Sequence, residues 1–481
     1  MPGPGRSGRR SGATQPLPRE RDSGFLMQDS TITSPETAAD EHRLGRAFYA
    51  VQSAVLLNGV GTRCGQLAVA WWSLGQSGSA ATFAAFVAVG SGAEILARGL
   101  LGWLGDTYRP DRLIAACYLI STLLIAGLTG LYLGDLYHPA ALAVGLAVIG
   151  ICNGVREPLQ TTLVRSLVPV SLVETAMRRR GSVMALSSVL GPIVASVLLG
   201  LVGTGATLAV NTAGVASSFL LMTTASASAE ASEETSRSER KSPLSTWYRS
   251  TIEGWRAIYQ IRSEFQLAML ALAVNLALFP VFAVLLPALT RRSFPDDTWL
   301  IGIAEAAFGV GLLLGSTGPV ARLTRGTQTR FTTVIAGFTV TGLSILASGI
   351  AATSITAHPL VLAAALAGSF LIGGVGLIMI TVTNSTVRVL ATPASMRNRV
   401  NASVAFLSGL AIPIGNLLGG FLAEHLGEGT AMAILGLVIL AATVVGAFSR
   451  DLRTVLTLPD DDIPDAYTRL YPRAFPQEKV L

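Results

Sequence analysis

About twelve apolar stretches, each of roughly twenty residues, are strung along this 481-residue chain with short charged segments between them. A stretch of that length matches the ~30 Å hydrocarbon core of a bilayer. Inside that core a backbone has no water to bond, so each stretch must be a helix or part of a closed barrel. The alternating pattern of a membrane barrel, about ten residues per strand, is missing. The chain is therefore expected to be an all-α membrane protein with about twelve transmembrane helices. Composition agrees: 13% of residues are charged, where soluble domains carry about 25%, and the mean hydropathy is +0.55.

The same pattern limits function. A net charge of +6 raises the question of nucleic acid, but the arginines cluster at the ends of apolar stretches, where a bilayer explains them and no nucleic acid is called for. Cys64, Cys117 and Cys152 all fall inside apolar segments and read as small core residues, not as a disulfide framework or a metal site. No cofactor is expected. The four histidines are scattered over loops and tails, so no metal-ligand or acid–base cluster points to an enzyme. The phosphate-cradling Gly-Lys-Ser/Thr loop is absent, so ATP is not expected to drive the protein directly.

The organisation follows from where apolar runs stop. Residues 1–45 are rich in Pro, Gly, Ser and charge, and read as a disordered tail without the apolar core of a signal peptide. Six spans are expected over 46–224, starting near Ala47, Ala80, Leu113, Pro139, Ser182 and Ala206. Six more are expected over 264–450, starting near Phe265, Trp299, Phe331, Pro359, Val400 and Gly429. Residues 225–263 form a polar linker. Its second part puts Trp247, Ile252, Trp255, Ile258 and Tyr259 near helical spacing with arginines between them, as in an amphipathic helix lying on a membrane surface. Residues 451–481 are a second polar tail.

Orientation comes from short-loop arginines. With the N-terminus inside, Arg109, Arg112, Arg165, Arg178–Arg180, Arg322, Arg325, Arg330, Arg388, Arg397 and Arg399 lie in inside loops, and only Arg291 and Arg292 outside: twelve against two. Both termini and the linker are thus expected in the cytoplasm of a bacterial plasma (inner) membrane; the near-exclusive use of arginine over lysine fits a GC-rich bacterial host. The halves also repeat. Leu167-Val168-Pro169, Arg178-Arg179-Arg180 and Gly191-Pro192 are echoed by Ala391-Thr392-Pro393, Arg397-Asn398-Arg399 and Ile412-Pro413. Two six-helix pseudo-repeats around a central cavity are the architecture of rocking transporters.

Between the second and third spans, Gly102-Trp103-Leu104-Gly105-Asp106 leads to Arg109 and Arg112. This resembles the signature loop of the major facilitator superfamily. Gly191-Pro192 in the fifth span resembles the Gly-Pro motif of its exporters. Pro413-Ile414-Gly415, Gly419-Gly420 and Ala423-Glu424-His425-Leu426-Gly427, with Asn153 to Pro158, resemble its bacterial macrolide and siderophore efflux branch. The resemblance covers residues 43 to 450 apart from most of the linker. It implies a monomeric secondary transporter that exports a small organic compound against proton influx. The rivals are an importer of the same fold and a non-transporting receptor or scaffold.

Charges within the spans are the candidate working residues, because a charge in a bilayer must be paired or face a cavity. Glu94 and Arg98 are four apart on one helix face and can neutralise each other. Arg156, beside Glu157 in the fourth span, can alternatively lock to Glu94 or Asp106 as a latch. Arg63 has no obvious acidic partner at its depth. Spans one, four, seven and ten line the cavity in the resembling family, so by that analogy Arg63, Asn275 and Asn384 contact substrate; the competing reading buries Arg63 against backbone carbonyls or asparagines. Glu305 is expected near the outer end of its span, in solvent. Trp71 and Trp72 are expected in an interfacial belt. The family places the signature Asp against the start of span eleven, here Val400-Asn401, and so implies that Asp106 holds the halves together there.

Overall fold

The structure, a computed structural model, describes residues 44–101, 103–104, 108–169, 172–230, 252, 254–316, 329–393 and 396–475. Gly102 and Asp106 of the signature loop, the linker from 231 to 251, Arg322, Arg325 and the tail up to Arg43 lie outside the described residues. Every regular element among the described residues is helical.

The first four spans are α1 (Arg46–Ser77), α2 (Ala80–Leu100), α3 (Pro110–Leu133) and α4 (Pro139–Ser166). Their starts use ordinary end chemistry. Ser79 accepts from the Thr82 N–H at the head of α2, and Pro110 and Pro139 open α3 and α4, where a missing N–H costs nothing. Val173–Glu230 winds continuously except at Gly203, whose φ of 85° and ψ of 179° are open in practice only to glycine. The chain turns back there. Ser187 and Asn211, on either side of that glycine, both reach the same stretch of α1, at Gly59 and Gly61. The two arms are α5 (173–202) and α6 (204–230).

In the second half α7 runs through Arg262–Pro280, a π-helical turn at Val281–Leu285, and Leu286–Ser293. Pro280 and Pro287 flank that turn. Then follow α8 (Trp299–Ser316), α9 (Arg330–Ser354), α10 (Pro359–Ala391), α11 (Arg397–Gly409 with Ala411–Leu426) and α12 (Glu428–Ala447). Ten of the helices among the described residues are long and apolar enough to cross a membrane, one of them the folded α5–α6. With α1, more polar but 32 residues long, the count is about twelve. Large apolar side chains such as Leu123, Leu201, Val445 and Phe448 stand exposed on these helices, as lipid-facing residues must.

Within the first half α1 packs on α5 and α6, and α2 and α3 pack on α4. Within the second, α9 packs on α10 and α12, and α8 on α10. The halves meet along α2–α11 and α5–α8. Moving each span six places along the chain turns one of these seams into the other, as a two-fold repeat requires.

Two short helices close the chain, α13 (Arg450–Leu456) and α14 (Ala466–Leu470). This segment packs against the second half: Leu452, Val455, Ile463 and Tyr467 are buried. The linker helix also departs from expectation. Residues 254–260 are helical, but Ala257, Ile258 and Ile261 are buried against the bundle, Trp255 is partly exposed, and Tyr259 faces outward. Its apolar side is met by protein, because the helix leads directly into α7 and lies on α11, where Trp255 meets Phe406 edge-on.

Candidate functional site

A cavity lies between the halves and encloses about 1210 Å³, counting the open space at its mouth. Its walls come from α1, α2, α3, α4, α5 and α6 on one side and from α7 and α8 on the other. Phe83, Phe86, Leu128, Ile149, Phe282 and Ile301 make most of it apolar. The π turn contributes Phe282 and Ala283, so the two prolines that bracket it shape a cavity wall.

Arg63 lines this cavity. Its guanidinium lies 3.6 Å from the Glu305 carboxylate, on α8 of the opposite half, and donates to Gln66 Oε1 at 3.2 Å. This corrects two expectations. Arg63 has an acidic partner, and Glu305, whose side chain is 10% exposed, is not in open solvent. The reason is geometric: a helix of 32 residues is about 48 Å long, longer than the hydrocarbon core, so counting residues from one end misjudges depth. Gly191 makes room for the arginine. A Cβ there would stand 2.9 Å from the Arg63 Cγ, and Pro192, next along α5, lines the cavity too. The Gly-Pro pair and Arg63 are therefore one local arrangement.

Deeper toward the arginine-rich end, Arg98 donates to Glu94 at 2.8 Å and also pairs with Glu157 of α4. One guanidinium thus serves two carboxylates. Arg156 is not locked to Glu94 in this structure. It is 6% exposed, donates to Asn58 Oδ1 at 3.0 Å and Asn153 Oδ1 at 2.7 Å, and lies 4.4 Å over the Tyr118 ring. Neutral dipoles and a ring face hold this charge, so no opposite charge in the sequence marks its partners. Arg109 makes a two-pronged pair with Asp111 at 3.0 and 3.2 Å, and Arg112 is exposed at the head of α3.

The two asparagines expected in the cavity do not line it. Asn275 donates to the Ser408 carbonyl at 2.9 Å and ties α7 to α11. Asn384 is buried in α10, and α10 contributes nothing to the cavity wall. The asparagines that do line it are Asn153 of α4 and Asn211 of α6; analogy with spans one, four, seven and ten passes over the second.

The face opposite the termini is closed by contacts across the halves. Thr298 donates to the Ser196 carbonyl at 2.8 Å, the Ala80 N–H donates to Glu424 at 2.9 Å, and Arg291 lies 5.5 Å over the Trp71 ring. Trp71 and Trp72 are accordingly buried, not displayed in a belt; Trp72 packs edge-on against Tyr132 and Tyr137. Among the described residues α4 and α10, which hold corresponding places in the two halves, have no extended contact with each other.

Solved structures share this architecture. The chain is similar to the nucleoside transporter NupG, with a TM-score of 0.62 at 12% identity over 86% of this chain and 100% of that one. It is similar to a bacterial homologue of the iron transporter ferroportin in an inward-facing state, with a TM-score of 0.65 at 15% identity over 87% and 100%. A peptide transporter POT in complex with sulfate gives 0.67 at 14% identity over 86% and 96%. Such identities speak for the fold alone. No curated protein matches the chain. The family profile described as Major Facilitator Superfamily matches residues 53–387, and with a two-seam fold of about twelve spans around a cavity the chain belongs to that superfamily.

Proposed function

We propose that the protein exports a small organic compound across a bacterial plasma membrane, driven by protons moving inward, by alternating exposure of the cavity. Membership of the superfamily makes it a multi-pass transmembrane transporter; direction and coupling are the proposal. The observation that carries it is the Arg63–Glu305 pair, which joins opposite halves inside the cavity. In the closed-face state the Glu305 carboxylate is held against the Arg63 guanidinium. Opening that face pulls α8 from α1, leaves Glu305 without its cation and favours uptake of a proton from outside. Closing it again restores the pair and expels the proton inward. Glu94, Arg98 and Glu157 then serve as the second charge cluster, toward the arginine-rich end.

The test is purified protein in proteoliposomes with a trapped pH-sensitive dye. Addition of macrolides, siderophores and aromatic metabolites to the compartment corresponding to the cytoplasm should bring protons into that compartment as compound leaves it. Compound and proton moving the same way would favour the importer. No movement with any of these compounds under either gradient would favour a receptor or scaffold.

A further inference from the structure

Arg63 answers to the rest of the protein with only part of its guanidinium. Both of its polar contacts, Gln66 Oε1 at 3.2 Å and the Glu305 carboxylate at 3.6 Å, fall on one nitrogen, Nη1. Among the described residues Nη2 and Nε bond nothing, and neither is shut away from open space. The side chain is 40% exposed, and it lines the cavity.

These two nitrogens form one edge of a rigid planar fork. The stem behind them is held by α5, since a Cβ on Gly191 would stand 2.9 Å from the Arg63 Cγ. Gln66, which also lines the cavity, gives its Oε1 to Arg63 and keeps its Nε2 unbonded among the described residues. One turn of α1 thus turns unspent donors to the cavity. The partly exposed apolar wall of Val87, Leu146, Ile149 and Phe282 offers them no side-chain acceptor.

We infer that this donor edge reads the cargo, taking a carbonyl oxygen of an uncharged molecule whose apolar body lies along that wall. The charge class follows from the lining. Among the described residues its charged groups are Arg63, Glu94 and Glu305, so a carboxylate on the cargo would add a third negative charge to a single positive one. An amine at the same place would be repelled by the guanidinium. The inference rests on the transport reading in taking the cavity as the cargo's path.

Three probes share one ring system: 2-acetylnaphthalene carries the carbonyl, 2-isopropenylnaphthalene has its shape without an acceptor, and 2-naphthoate carries a carboxylate. Equilibrium dialysis against the full chain in lipid nanodiscs, with protein-free nanodiscs as the blank, should give about tenfold tighter binding of the ketone than of the alkene, the value of one hydrogen bond. The carboxylate should bind more weakly than the ketone. Replacing both Arg63→Met and Glu305→Gln removes the edge and leaves no unpaired charge; ketone and alkene should then bind nearly alike, and both should still bind. Glu305→Gln alone should keep the ketone preference and narrow the deficit of the carboxylate. A parent protein that treats ketone and alkene alike, binds neither, or prefers the carboxylate overturns the inference, as does a preference that survives the double replacement. If the double variant does not fold, Arg63→Lys decides, because its single nitrogen is drawn to Glu305: an undiminished preference there overturns the inference, and a reduced one supports it. Dialysis needs no gradient. Selective binding in a chain that moves nothing would sink the transport reading and spare this one, and transport without the preference would do the reverse.

Discussion

Arg63 illustrates what a sequence conceals about a single residue. Its type and span mark it as costly in a bilayer, and that much is legible. Its partner lies 242 positions further on, in the other half of the molecule, and no local pattern links the two. The same holds for Arg156, whose partners are two asparagines and a tyrosine ring and therefore leave no charge pattern to find. By contrast Glu94 and Arg98, four apart on one helix, were legible as a pair, although the share taken by Glu157 was not. The cross-half pair carries a prediction. Glu305→Gln keeps the size of the side chain and removes its titrating proton. Gradient-driven accumulation should fall about tenfold or more, since an ion pair that tracks the conformational state is worth at least one such factor, while exchange of labelled for unlabelled compound across the same vesicles should persist. Loss of exchange together with accumulation would make Glu305 a structural residue instead of a coupling one.

Helix boundaries were readable almost throughout, because apolar length is a strong signal and Pro110, Pro139 and Pro359 mark first turns. The exception is α5, expected from Ser182 but beginning at Val173. Three successive arginines read as a loop, whereas a helix can carry them past the bilayer edge with their charges turned to water or to polar neighbours. The C-terminal segment was harder still. It is polar and proline-rich, and nothing in that composition announces that Tyr467 donates to Glu264 at 2.7 Å beside Arg388, or that Arg330 donates to the Leu458 carbonyl at 2.7 Å. Burial, and then the Glu264 carboxylate, raise the Tyr467 pKa well above its ordinary value. The unfolded tyrosine ionises near pH ~10, while the folded one keeps its proton. The contribution of this bond is therefore complete below that pH and is lost as pH climbs beyond it. Tyr467→Phe should cost about 1.5–3 kcal/mol near neutrality, seen as a lower thermal midpoint, and the deficit should shrink in alkaline buffer. A deficit of constant size from pH 7 to 11 would rule out the hydroxyl as its source.

At the scale of the whole molecule, the repeat was legible because both halves carry the same order of proline, arginine and glycine landmarks, and the fold follows from it. The orientation rests on arginine count alone. Reporters fused after Arg240 and after Arg450 should read as cytoplasmic and one at Pro295 as external; a periplasmic signal from the linker would reverse the topology and the sense of every gradient discussed above. The cavity itself was legible only as a location. Which residues face it depends on helix rotation, which hydropathy does not encode, so Asn275 and Asn384 were expected there and Asn211 was not. Its lining is also lopsided. Arg63, Gln66, Glu94, Asn153 and Asn211 all come from the first half, whereas the second half adds apolar surface and a single carboxylate, Glu305. Under the proposed function, most polar recognition of the cargo then falls to one gene segment, and the other adds the carboxylate that answers to it. On the proposed reading a cargo-altering screen need randomise only the first half, with Arg63, the partner of Glu305, held fixed.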